Sequence, residues 1–217
     1  MSDKFHEELD TLRDEFLEYG HFARGMLVDA FEALKNGDED LAGLVLARKD
    51  ELARRSDDFD ERLLTLIALY QPMAQDLRAI ICTIRMNASL YRIGRYGKDI
   101  ALLVPPFAGA GHHLGRMLNL PHMAGIVVSM VDDVLKAYET RDVSPIEDLS
   151  ARDDCVDDLR YSVFREALTY MMEDPRNIER GMDYVMVARY LERCGDHCCS
   201  MGEKVHFMLT GERIEIK

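Results

Sequence analysis

The stretch MLVDAFEALKNGD, residues 26 to 38, returns as MVDDVLKAYETRD at residues 130 to 142, an offset of 104. Two more landmarks recur behind it. LYQP, ending at Pro72, is answered by YMMEDP, ending at Pro175. LYRIGRYGKDIALLV at 90–104 is answered by LERCGDHCCSMGEKV at 191–205, now offset by 101. Matching landmarks with a drifting offset are the mark of an old tandem duplication with small insertions and deletions. Whatever one half folds into, the other repeats.

The first half reads as helix. Phe5, Leu9, Leu12, Phe16, Tyr19, Phe22, Met26, Ala30 and Leu34 recur at intervals of three and four, an apolar stripe sustained over many turns. Lys35-Asn36-Gly37-Asp38 supplies a glycine stop followed by a new cap. A second helix is predicted from about Glu39 to Leu69, and Pro72 opens a third that ends near Val104. Pro105-Pro106, with Gly109 and Gly111 behind it, is a hinge. Helices of roughly thirty residues are about 45 Å long, and three of them joined by short loops pack as an antiparallel bundle. The expectation is an all-α chain of two tandem, duplicated three-helix bundles, six long antiparallel helices in all, placed end to end. Residues 1–104 form the first bundle, 105–111 the linker and 112–217 the second. No strand pattern competes.

Composition narrows the function classes. Forty acidic residues against 27 Lys and Arg leave a formal charge of −13, which repels a phosphate backbone and disfavours direct nucleic-acid binding. A cationic surface or a metal ion is the more natural partner. The N-terminus, MSDKFHEELD, shows no signal peptide, and no apolar run approaches the length of a membrane span. Five cysteines, odd in number and unevenly spread, argue for reduced thiols and a cytoplasmic address.

The densest chemistry lies in RYLERCGDHCCSMGEKV, residues 189–205. Turning about 100° per residue from Glu192 puts Asp196, Cys199 and Glu203 on the same stripe. Val187, Leu191, Cys194, Cys198, Met201 and Val205 gather on the opposite side, which reads as the core face. Cys194 and Cys198 are then small buried apolar residues. Cys199, on the acidic side, reads as an idle, partly exposed thiol, and His197 falls between the two faces. Asp153, Asp154, Asp157 and Asp158 on the preceding helix repeat the doubled i, i+4 acidic pattern. If the two helices are neighbours, four carboxylates face one groove. Such a cluster is a solvated acidic face, or it raises its own pKa values or recruits a cation. Ligation by carboxylates alone suits Mg²⁺, Ca²⁺, Mn²⁺ or iron more than zinc.

RYLERCGDHCCSMGEKVHFMLTGE, residues 189–212, strongly resembles the closing signature of the PhoU phosphate-uptake regulators, ARYLERIGDHA followed by a helix end and TGE. QPMAQDLRAI at 71–80 matches that family's QPxAxDLRxI, and TYMMEDPRNI at 169–178 its counterpart in the second half. The likeness covers nearly the whole chain. It implies a helical regulatory adaptor and no enzyme: a cytoplasmic negative regulator of phosphate uptake and phosphate homeostasis. Its implied partners are the ATPase subunit of the phosphate ABC transporter and a phosphate-sensing histidine kinase. Contact with the membrane would be peripheral, through the transporter, and the expected assembly is a homodimer.

The resemblance also implies metal held by paired E/D-x-x-x-D motifs. By position these are Asp153 with Asp157, and Glu192 with Asp196; the implied cofactor is iron or another oxygen-preferring cation (Mg, Mn or Ca). Ser200 stands where the family often has asparagine. The first half departs further, with Lys49 and Ala53, then Tyr91 and Arg95, at the matching positions, and Lys98 on the same stripe as the latter pair. Metal is therefore expected in the second half alone. The basic stripe of Arg92, Arg95 and Lys98 is a solvated face or a dock for an acidic partner. Two other readings stay open, a helical accessory protein of a different phosphate permease and a metal-dependent phosphohydrolase or oxidase. A di-iron oxidase would need Glu-x-x-His motifs on facing helices.

Overall fold

The computed structural model describes residues 3–104 and 119–216, and these are helical with short connections. The expected linker, 105–111, lies outside the described residues. In chain order the helices are α1 (Asp3–Asn36), α2 (Glu39–Ala47), α3 (Lys49–Tyr70), α4 (Ala74–Ala101), α5 (Asn119–Thr140), α6 (Leu149–Glu173) and α7 (Ile178–Thr210). Short 3₁₀ turns at Ser144–Ile146 and Pro175–Asn177 lead into α6 and α7. The predicted second helix of the first half is present but broken at Arg48, where α2 hands over to α3. No helix among the described residues is long and apolar enough to cross a membrane.

The stripe on α1 does what its spacing dictates. Phe5, Leu12, Phe16, Tyr19, Met26, Ala30 and Leu34 are buried, and Leu9 and Phe22 are half-buried against them. Gly37, at φ 66°, ends α1 in the left-handed conformation, and Asp38 then caps α2 by accepting from the Leu41 amide at 2.9 Å. The second half repeats this turn with Arg141, at φ 56°, in place of the glycine. In both halves the amide that follows reaches back to an alanine carbonyl, Asp38 to Ala33 and Asp142 to Ala137.

A pair of ion bridges fixes the register of the duplication. Arg48 meets Asp29 at 2.6 Å in the first half, and Arg152 meets Asp133 at 2.8 Å in the second. Both pairs span the first and second helical stretches of their half, at the offset of 104 seen in the sequence. Equivalent positions can therefore be compared directly.

The two bundles do not lie end to end. They lie side by side, with α4 packed antiparallel along α7 and α1 touching α5. Phe16 meets Tyr138 with ring centroids 4.7 Å apart, Arg24 forms a bidentate bridge to Asp132 at 2.7 and 2.8 Å, and Tyr96 stacks on Tyr190 at 5.7 Å. The reason is that α4 has two apolar faces. Gly97 lets one of them approach the backbone of α1 so closely that a Cβ there would sit 2.8 Å from Met26 and Leu27 backbone atoms. The other face is left for α7. One apolar cluster accordingly runs through both halves.

Candidate functional site

Asp153 and Asp157 project from α6, and Glu192, Asp196, Cys199 and Glu203 from α7, the helix packed against it. The opposite stripe of α7 is core as its spacing requires: Val187, Leu191, Cys194, Cys198, Met201 and Val205 are fully buried. The acidic stripe runs along the α6 side of α7, with Glu192 and Cys199 buried, Glu203 half-buried and Asp196 open to solvent. Cys199, expected to be partly exposed, is 4% exposed and bonded to the Asp153 carboxylate. Burial and that neighbouring carboxylate push its thiol well above the usual range.

Asp153 is the most perturbed acid of the group. Burial, then the charges of Asp196 and Asp157, push its carboxyl up to about 6, against a partial offset from the Cys199 hydrogen bond. Its close approach to α7 depends on Gly195, where a Cβ would fall 2.8 Å from Asp153 Oδ1. Glu192 is 9% exposed, and burial raises its pKa. Its Oε1 accepts from Arg189 Nη1 at 2.6 Å, whereas Oε2 is buried without a hydrogen bond, Arg193 Nε being 3.9 Å away. Asp196 is exposed and receives Arg193 Nη1 at 3.4 Å, and Asp157 is exposed.

The structure thus brings Asp153, Asp157 and Asp196 into one electrostatic neighbourhood and sets Glu192 beside it, held back by arginine. Among the described residues no three His, Cys, Asp or Glu side chains already stand in a cage. Their chemistry still fits a hard cation. An acid pushed up to about 6 by burial and neighbouring charge, and an orphaned carboxylate oxygen, are what an entering cation would relieve, and Gly195 leaves room beside Asp153. Arg189 and Arg193 were missed in the sequence, although their i, i+3 spacing to Glu192 and Asp196 is a readable ion-pair signal.

In the first half the equivalent ground is different. Lys49 and Ala53 replace the two aspartates, and Arg95 Nη1 donates to the Tyr91 hydroxyl at 3.2 Å. Beneath Gly94, the counterpart of Gly195, sits Leu52 rather than an acid. Of the basic stripe only Arg92 is exposed, since Arg95 rests by Tyr91 and Lys98 pairs with Asp99. His197 lies at the seam, its ring 6.1 Å from that of Tyr96, and burial lowers its pKa against the opposing charge of Asp196. Glu-x-x-His spacing occurs at Glu18–His21 and Glu203–His206, but neither serves as half of a di-iron pair. The first two residues are exposed. Glu203 is spent on Lys204 and the Ile216 amide, and His206 faces the Glu212 carbonyl.

A family model described as the PhoU domain matches residues 16–104 and again 120–205. The phosphate-specific transport system accessory protein PhoU homolog of Rhizobium meliloti is 37% identical over 207 residues, covering 95% of this chain and 87% of that protein. The homolog of the same description from Clostridium acetobutylicum is 31% identical over 213 residues, 98% of this chain and 97% of that one. Among solved structures, PhoU from Pseudomonas aeruginosa superposes with a TM-score of 0.90 at 31% identity, covering 96% of this chain and all of that one. The phosphate transport system regulatory protein PhoU from Streptococcus pneumoniae gives 0.87 at 25% identity, with 97% and 99% covered.

Proposed function

The chain belongs to the PhoU family, and from that premise we propose that it is a regulatory adaptor which restrains phosphate uptake by acting on the phosphate ABC transporter. The observation that carries this reading is agreement over both repeats and nearly the full length with proteins described as accessory to phosphate-specific transport. An adaptor also needs a surface to give away. On the α6–α7 hairpin Tyr161, Phe164, Leu168, Met172, Ile178, Met182 and Met186 are exposed, Met172 to 85%. Apolar exposure on that scale is typical of a face that meets another protein. The partner is the transporter's ATPase subunit, reached from the cytoplasm, with a phosphate-sensing histidine kinase as a second client and a homodimer as the resting form.

In this reading Asp153, Asp157, Glu192 and Asp196 hold iron or another oxygen-preferring cation. The metal supplies positive charge between α6 and α7, and the protein's own residues do the rest. Gly195 keeps the groove open, Cys199 orients Asp153, and Arg189 and Arg193 hold Glu192 and Asp196 until the ion replaces them. The role is structural rather than catalytic. Burial pushes the Cys194, Cys198 and Cys199 thiols up, leaving no thiolate nucleophile at the site.

Deleting the gene tests the regulatory role. Phosphate uptake or intracellular polyphosphate should rise under phosphate-replete conditions, and unchanged uptake with unchanged transporter expression would sink it.

A further inference from the structure

At the far end of α7 from Glu192, the QPMAQDLRAI stretch of the first half meets the MLTGE stretch of the second. Arg78 Nε donates to the Met208 carbonyl at 3.2 Å. Its Nη1 occupies the space that a Cβ on Gly211 would need, 2.5 Å from that position. Arg78 and Arg213 both lie by the Phe207 ring, at 5.7 and 5.2 Å from its centroid. These contacts frame a cavity of about 590 Å³ between the beginning of α4 and the end of α7, within the size range of small-molecule sites.

Four cations line it, Arg78, Arg85, Lys204 and Arg213, against one acid, Glu203. Glu203 is already satisfied by Lys204 at 3.0 Å and by the Ile216 amide at 3.1 Å. Among the described residues no carboxylate lies within ion-pair distance of Arg78, Arg85 or Arg213. Burial pushes the Cys82 thiol in the cavity wall up, against the opposing pull of the same four cations. In a chain where acids outnumber bases 40 to 27, three guanidiniums around one cavity with no carboxylate to pair with them mark a built anion site. Guanidinium forks match phosphoryl oxygens. The remaining wall is apolar, Leu77, Ile81 and Ile214, which a bare inorganic ion would leave unused.

We propose that this cleft binds a nucleoside polyphosphate, its phosphoryl groups on Arg78, Arg85 and Arg213 and its base against Leu77, Ile81 and Ile214. The ligand would tie α4 of one half to α7 of the other, further toward the C-terminal end of α7 than Glu192 and Asp196. The site is independent of the uptake role and stands or falls separately.

Titration calorimetry on the full chain decides it, with ATP, tripolyphosphate and adenosine as probes. ATP should bind once per chain, tripolyphosphate about tenfold more weakly, and adenosine not measurably. Arg85→Glu and Arg213→Glu, which disturb no hydrogen bond to the backbone, should each weaken ATP by at least about tenfold, the order expected for one charge-assisted contact. Circular dichroism and the melting temperature should stay unchanged, and Arg92→Glu, a remote control, should leave binding intact. Absence of ATP binding at millimolar concentration overturns the proposal, as does binding that survives both reversals. Tripolyphosphate as tight as ATP would overturn the nucleoside assignment.

Discussion

Replacing Asp153 by asparagine should stabilise the metal-free protein at neutral pH. In the folded state this carboxyl titrates near 6, raised from its ordinary 3.8 by burial and by the charges of Asp196 and Asp157. The unfolded chain therefore loses its proton first as pH rises. Between those two values the folded state holds more protons, so stability is full below about 3.8 and falls until pH has passed about 6. Roughly two decades of proton affinity, at about 1.4 kcal/mol each, give an upper bound of about 3 kcal/mol at pH 7. The side chain is only half-buried, and solvent screening reduces this to about 1–2 kcal/mol. For a chain of this size that is about 3–6 °C in melting temperature. Asparagine keeps an acceptor for the Cys199 thiol while removing the charge. Scanning calorimetry in chelator should show Asp153→Asn melting above wild type at pH 7, with the gain shrinking steadily toward pH 4. Added metal should reverse the order, since the variant has lost a ligand. A gain constant across that pH range, or a loss at pH 7, would refute the account of a crowded, partly desolvated acid.

Gly97→Ala should cost about 1–3 kcal/mol, because the new methyl meets α1 backbone that cannot step aside, whereas Gly25→Ala, with nothing within 4 Å, should gain about 0.5–1 kcal/mol; urea denaturation measures both. Elemental analysis should find metal in the wild type and little in Glu192→Ala, Asp196→Ala; equal content would place the site elsewhere. Mass spectrometry after brief alkylation of the native protein should find Cys155, half-buried, modified well before Cys194, Cys198 or Cys199. Early labelling of Cys199 would contradict its burial against Asp153.

Helices were legible in the sequence because long apolar stripes at spacing three and four, stopped by Gly37 and Pro72, leave little else for these residues to do. The duplication was legible too, and the paired bridges Asp29–Arg48 and Asp133–Arg152 confirm its register. Side-by-side packing was not. Which second face of α4 finds a partner depends on close-approach geometry, such as that at Gly97, between residues far apart in the chain. At the candidate site, helical angles grouped Glu192, Asp196 and Cys199 correctly. Angles alone cannot say whether a stripe meets water or another helix, which is why the sequence reads Cys199 as partly exposed where the fold buries it. Arg78 belonged to a motif visible in the sequence, but its contacts at Met208 and Gly211 exist only once the halves are folded together.

The α4–α7 seam bears on how the protein is made. A chain emerging from the ribosome completes α4 at Ala101 but does not begin α7 until Ile178. Through that interval one apolar side of α4 has no cover, and contacts such as Arg78 with Met208 must close loops of more than a hundred residues. Long-range closure slows folding and lengthens the exposure of sticky surface. The first half should therefore be a poor fragment on its own, prone to associate when expressed alone. Unfolding of the whole chain should be a single cooperative event, so that any ion held between α6 and α7 protects the first half as well as the second.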